Sequence, residues 1–291
     1  SYEVGGRSSA MLRAEDALAT LGRTYFDAWT ATASQLAGAR LDASISRSEV
    51  AWSGGARDFD LGISLLQGDS VTWGSSVLNY CQLVAGSDLG AFFASRNNLL
   101  TFRDRHSNLL GAAAVAFADD GTGVEFNQVE VSFGSETFYQ RVSVDREGGT
   151  VQSYSATTAT ADGIRTLKKT GVLLNTDADA LAMAQYLATT FATGEARVAT
   201  IGVTLDTSLQ TTDELAALLA LEINSLISVT WTPNGVGAAI SQTLVVQGID
   251  HTIAVDRHDL ALSLGKYDGR APFILDDVDL GELDGAGVLT Y

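Results

Sequence analysis

WGSSVLNYCQLVAGSDLGAFFASRNNLLTFRDR, residues 73–105, carries the clearest local structure in the chain. Ser75 or Ser76 offers a side-chain oxygen to the free N–H groups of a helix start. Val77, Cys81 and Val84 follow at spacings of four and three, which puts them on one helical face. Gly86, Ser87 and Gly90 end that helix, and 91–95 then reads as a strand. It turns at Arg96-Asn97-Asn98, where asparagine tolerates positive φ, and 99–103 returns. Leu100 and Phe102 share one side of the returning strand, with Leu99, Thr101 and Arg103 on the other. The spacing therefore predicts a hairpin with one face on the helix.

Upstream, Ser9 precedes Met11, Ala14, Leu18 and Leu21, a helical pattern with Gly22 placed as a left-handed cap. Residues 25–29 and 36–41 are ambiguous between helix and extended chain. Residues 46–52 read as a strand before the breaks at Gly54, Gly55 and Gly62. Downstream, 109–117 is an apolar run of strand length, followed by turn chemistry at Asp119-Asp120-Gly121. Val129 and Val131 alternate with polar residues, as do Val142 and Val144 before Glu147-Gly148-Gly149, and Val151 resumes. The reading is antiparallel sheet over 126–155.

Asn175, Thr176 and Asp177 are capping candidates ahead of Leu181, Ala184, Ala188 and Phe191, an amphipathic helix that Gly194 ends. Residues 197–205 alternate as a strand, and Thr211 with Glu214 forms a capping-box pattern for a short helix through Leu219. From Leu226 the pattern is strands only: 227–232, a turn at Pro233-Asn234-Gly235, then 240–248, 249–255 and 260–264. Strands at that spacing predict a small closed barrel or a sandwich, because closure removes unpaired edges.

At 291 residues the chain can bury a sizeable core, and we expect two domains and a tail: 1–112, α/β with the helix-hairpin unit; 113–272, β-rich with a crossover helix and a barrel; and 273–291. Apolar residues at 46% and charged residues at 18% fit a folded protein, and no apolar run is long enough to span a bilayer. A net charge of −17 argues against a surface that grips nucleic acid, which needs clustered Lys and Arg. Such a balance suits DNA passing without sticking. The lone Cys81 makes no internal disulfide and reads as a small core residue. The chain opens with Ser1-Tyr2-Glu3, without Met or the segments of a signal peptide, so we read it as a processed or partial chain.

Candidate chemistry is sparse. Asp250, His251, Asp256, His258 and Asp259 are the nearest thing to a cluster, but on an extended strand His251 and Asp256 face opposite sides, so we read a solvated strand and turn. His106 has no acid or nucleophile beside it in a motif. Asp276, Asp277, Asp279, Glu282 and Asp284 fail the spacing of a calcium-binding loop. No nucleophile elbow, phosphate-binding loop, dinucleotide fingerprint or zinc-protease helix occurs. The expectation is therefore no catalytic residue, no metal and no cofactor.

One resemblance ties these pieces together. A helix ending near a small or acidic residue and Gly, an aromatic strand, a polar turn and the phrase LTFRDR (100–105) resemble the baseplate hub proteins of long-tailed bacteriophages, also called tail-associated or minor tail proteins. The phrase AEDALATL (14–21) is similar to the helix that follows the first barrel strands there, which implies that residues precede Ser1. Gly163 and Arg165, Leu221-Glu222-Ile223, and Val246, Gly248, Ile249 and His251 match the hub pattern of a crossover, an L-E-I phrase and a barrel closing on V-x-G-I-x-H. Asp162 stands where that pattern has an aromatic, and Ser225 near an expected Asp. The closing stretch, with Phe273, Leu275, Asp276, Gly281, Leu283, Asp284, Leu289 and Tyr291, looks like the end of actinobacterial phage tail proteins.

The resemblance implies an α+β, hub-like fold: a small antiparallel β-barrel plus an α/β domain. It implies a structural virion protein of the tail tip that joins tail tube to tip and fibres and lines a channel for genome and tape-measure protein. Its expected partners are two further copies in a homotrimer, the distal tail protein, the tail tube, the tape-measure protein and tip or fibre proteins. Two alternatives stand beside this: a tail-associated peptidase or cell-wall hydrolase, and the hub of a contractile secretion system. Phe273, Leu275, Leu280, Leu283, Leu289 and Tyr291 are too sparse for a core of their own, so the tail is expected to dock on a formed surface.

Overall fold

A computed structural model describes residues 14–52, 56–109, 111–133, 138–156, 163–192, 196–233, 238–267, 269, 271–272 and 287–288. The N-terminal part runs α1 (Ala17–Gly22), β1 (Trp29–Ala31), β2 (Gln35–Leu36), α2 (Ala37–Ile45), β3 (Arg57–Phe59), β4 (Leu65–Leu66), β5 (Asp69–Val71), α3 (Val77–Ser87), β6 (Ala91–Ala94) and β7 (Leu100–Arg103). Next come β8 (Val115–Ala118), β9 (Gln128–Phe133), β10 (Arg141–Arg146), β11 (Gln152–Ser155), β12 (Thr166–Val172) and α4 (Asp177–Thr190). The chain continues through β13 (Ala196–Thr204), α5 (Thr212–Ala220), β14 (Leu226–Trp231), β15 (Ile240–Ile253), β16 (His258–Lys266), β17 (Ala271–Pro272) and β18 (Gly287–Val288).

The helix-hairpin unit forms as its sequence dictates. Ser76 caps α3 by accepting from the Asn79 N–H, a contact worth about 1 kcal/mol. Val77, Cys81 and Val84 are fully buried and meet Leu100 and Phe102 in one core. β7 lies between β3, which is parallel to it, and β6, which is antiparallel, so Thr101 on its other side is buried too. Asn98 turns the hairpin with φ 57°, and its side-chain oxygen accepts from the Ala17 N–H at 3.0 Å, tying the turn to α1.

Arg40, fully buried on α2, braces this unit. Its guanidinium donates to Gln35 Oε1 at 2.7 Å, the Tyr80 hydroxyl at 3.2 Å, Gln67 O at 2.8 Å and Thr32 O. Gly38, two residues earlier, lies against the loop before β4; a Cβ there would stand 1.9 Å from Asp60 O, so only glycine permits that approach.

Six strands form the second core in the order β8-β14-β15-β16-β13-β9, curled into a half-barrel. Leu218 of α5 packs into it with Phe117, Ile201, Val229, Val246 and Leu262. A third core lies between α4 and the sheet β11-β10-β12, with Val142, Val144, Met183 and Ala184 inside. The first and third cores are joined by backbone: Gln67 N–H donates to Leu173 O at 2.8 Å, and Asn175 N–H to Leu65 O at 3.0 Å.

Several local expectations change. Gly22 is not a left-handed cap; it is the last helical residue, and Arg23 caps at φ −101°. Residues 46–52 are not a strand, because Ser46 closes α2 and Ala51 turns at φ 49°. The run at 109–117 becomes a strand only from Val115, since 106–109 is a series of turns. Residues 126–155 do not form one antiparallel sheet: β9 pairs with β13, while β10 pairs with β11 and, in parallel, with β12. The strands expected at 240–248 and 249–255 are one, β15, with its register shifted between Val246 and Gly248. α4 is capped at Phe191, and Gly194 lies outside the described residues.

Candidate functional site

The capping box expected at Thr211 and Glu214 forms, and of the three candidates ahead of α4 it is Thr176 that caps, in a second box with Asp179. Thr176 with Asp179 starts α4 and Thr211 with Glu214 starts α5, each side chain accepting from the other's backbone N–H. β14 pairs with β15 over 240–245, and β13 pairs with β16 over 259–263. Beyond the β14 ladder, residues 248–253 of β15 run on paired to β16. The result is an arm whose turn is closed by Ala254 N–H donating to Arg257 O at 2.7 Å. Ile253 and Val255 are exposed at its end, 72% and 107%.

On this arm His251 stands opposite Leu260, and Ile253 opposite His258, so the two histidines share one face as a diagonal cross-strand pair. Their Nδ1 and Nε2 atoms lie 3.0 Å apart, with ring centroids 5.2 Å apart. Asp256 sits in the turn and not on a strand, so it does not stand on the face opposite His251 as an extended strand predicts. Arg257 Nε donates to Asp259 at 2.6 Å and Thr204 Oγ donates at 2.7 Å, and together they hold the Asp259 carboxyl below its ordinary range.

Three of the clefts among the described residues bear on the site. The first, about 500 Å³, lies where the N-terminal hairpin meets the half-barrel and is lined by Asp58, Asp60, Arg96, Arg103, Glu222 and Asn224. Its charges pair among themselves: Arg103 with Asp60 at 3.1 Å and with Asp58, and Arg96 with Glu222. The second, about 260 Å³, is lined by Leu89, Tyr186, Phe191 and Tyr267, with Arg105 lying 5.0 Å over the Tyr186 ring. The third, about 400 Å³ and mostly apolar, opens at the mouth of the half-barrel between Phe126, Val129, Val131, Trp231 and Ile240.

The other singled-out residues are placed as follows. Cys81 is buried, which pushes its thiol up to about 12. The His106 backbone N–H donates to Asp104 at 2.9 Å. Glu222 of the L-E-I phrase accepts at the joint between units, and Val246 and Gly248 flank the bulge. Phe273, Leu275, Leu280, Leu283, Leu289 and Tyr291 lie outside the described residues, as do the carboxylates at 276, 277, 279, 282 and 284. The described part of that stretch returns: Gly287 and Val288 pair in parallel with Ala271 and Pro272. Among the described residues, no three His, Cys, Asp or Glu converge as metal ligands, and no helix is long and apolar enough to cross a membrane. Sequence reasoning missed the His251–His258 contact and the bracing role of Arg40.

No protein-family model matches the chain, and no curated protein is significantly similar in sequence. Solved structures are similar in fold. The 43 kDa tail protein of prophage MuSo2 from Shewanella oneidensis superposes with TM-score 0.54 at 13% identity, over 86% of this chain and 70% of that one. A tail protein from Neisseria meningitidis MC58 does so with TM-score 0.54 at 14% identity, over 84% and 71%. A chain of the native gene transfer agent virion matches at 0.50 and 16% identity, over 83% of this chain and 49% of its own. The chain thus has the α+β fold of phage tail proteins, as the residue phrases implied.

Proposed function

We propose that this chain is a structural protein of a phage-type tail, carried in the virion at the tail tip after synthesis in the host cytoplasm. Within that tail it serves as the baseplate hub. The observation that supports this most is the fold, shared over 86% of the chain with a protein described as a prophage tail protein. In this reading residues 1–112 form the α/β domain, 113–272 the hub domain built on the half-barrel, whose edge strand β8 is parallel to β14 and whose other pairings are antiparallel, and 273–291 a docking tail. Three copies ring a channel for genome and tape-measure protein. The tail tube and distal tail protein bind on one side and tip or fibre proteins on the other.

The charge balance fits a channel wall, because a net −17 repels a phosphate backbone at close range. The cleft charges fit a non-enzymatic role, since Arg103 and Arg96 are engaged with Asp58, Asp60 and Glu222. The test is a map of intact particles together with the native mass of the purified chain. Density for three copies at the tail tip and a three-fold mass are expected. A monomer in an intact particle, or absence from purified tails, overturns the hub reading.

A further inference from the structure

The two imidazoles on the β15–β16 arm stand in a relation that a hydrogen bond alone does not require. Imidazole nitrogens bind zinc at about 2.0–2.1 Å, so two of them on adjacent positions of one ion, about 90–110° apart, lie about 2.9–3.4 Å from each other. His251 Nδ1 and His258 Nε2 are 3.0 Å apart. We propose that this pair binds one divalent first-row transition metal, zinc foremost, with copper(II) and nickel(II) taken by the same chemistry.

The scaffold makes the pair a preformed bite. Both residues sit on strands in fixed register, His251 opposite Leu260 and His258 opposite Ile253, so neither strand needs to move. Both rings already present a nitrogen to the same point; metal binding moves one proton to the far nitrogen of its ring and replaces the N–H···N contact by two N–metal bonds. Asp259, next to His258 in sequence, is engaged by Arg257 and Thr204, and two protein ligands leave open positions for water or for a donor from a second molecule. The arm is exposed, so the ion has free access, and the acidic chain raises the local concentration of cations. The inference does not depend on the tail reading.

The test is calorimetric titration of the full chain with Zn²⁺ in chelator-free buffer, with thermal melts confirming that each variant folds. One ion per chain is expected. His251→Gln and His258→Gln are each expected to weaken binding at least about tenfold, the scale on which even outer-shell changes act, while His106→Gln leaves it unchanged. A second measurement needs no variant: electron paramagnetic resonance of Cu²⁺ added to the wild-type chain should report two nitrogen ligands. Absence of saturable binding, fewer than two nitrogens, or wild-type affinity in either histidine variant overturns the site and leaves a His–His hydrogen bond only.

Discussion

Arg96 and Glu222, 126 positions apart in the chain, hold the N-terminal hairpin to the half-barrel by a backbone bond: the Arg96 N–H donates to Glu222 Oε1 at 2.9 Å. The Arg96 guanidinium adds a contact at 3.6 Å, with the arginine side chain 56% exposed. An exposed ion pair of that kind contributes about 0–1 kcal/mol, whereas a hydrogen bond from an N–H to a charged acceptor contributes about 1.5–3 kcal/mol. Glu222→Ala should therefore lower stability clearly more than Arg96→Ala in urea unfolding. Equal losses would mean that the side-chain pair, not the backbone bond, carries the joint.

Arg40 is a buried cation with no ion-pair partner among the described residues; its donors go to Gln35, Tyr80, Thr32 O and Gln67 O. Removing it strands those acceptors, at about 1–3 kcal/mol for a single buried group left unsatisfied. Arg40→Ala should cost about 3 kcal/mol or more, and Arg40→Lys most of that, because an ammonium cannot reproduce the fork. Chemical denaturation measures both. A loss near zero for Arg40→Ala would show that water replaces the guanidinium.

Asp88 is buried, and burial raises its carboxyl above the ordinary range despite the N–H groups of Ser64 and Ile63 that it accepts from. A raised folded-state value means that its contribution is full below the unfolded-state value and is lost as pH rises through the folded one. Asp88→Asn removes that loss, so the variant should gain stability relative to wild type between acid and neutral pH. Asp58, held low by Arg103, and Asp177, held low by Thr150 and Arg146, act in the opposite sense: their contributions are present above the ordinary carboxylate value and vanish as pH falls. The Asp88→Asn difference isolates the carboxylate that alone among the described residues is raised. A pH-independent difference would contradict the burial argument.

Cys81 should be inert in the folded chain, since burial pushes its thiol up to about 12 and keeps thiolate scarce. A disulfide reagent at pH 8 is expected to label it only after denaturation. Rapid labelling of the native chain would mean that α3 opens locally.

The purified chain should not hydrolyse peptidoglycan or peptide substrates. Turnover abolished by His106→Ala in a folded chain would instead make it a tail hydrolase.

Residues 273–291 carry Phe273, Leu275, Leu280, Leu283, Leu289 and Tyr291 among acids and follow Pro272. Burial of each is worth about 1.5–3 kcal/mol, against about 1–2 kcal/mol of backbone ordering per residue, so docking needs a surface already formed. Truncation after Pro272 should leave a folded chain that enters tails poorly. Normal incorporation, or failure to fold, would remove the docking role.

What was legible in the sequence was local. Ser76, Thr176 and the Thr211–Glu214 box stood among the caps offered by the sequence, because a cap is satisfied within one turn. Long-range register was not legible. β13 carries Val198 and Ile201 into one core although they are three apart, because a bulge between Val198 and Thr200 shifts the strand's two-residue period. The parallel pairing of β10 with β12 has no local signal. His251 and His258 meet only because β15 and β16 align in one register, and a count along the chain cannot show which residues face each other across a hairpin.

β15 is a single strand of 14 residues, about 45 Å from the apolar mouth at Ile240 to the exposed end at Ile253. It is stitched to β14 along its first half and to β16 along its second. A pull on the arm along the strand therefore loads many cross-strand bonds together, in shear, where a pull across it would peel them one at a time. The arm acts as a strut: a displacement at its end reaches the opposite end of the sheet before the strand gives way.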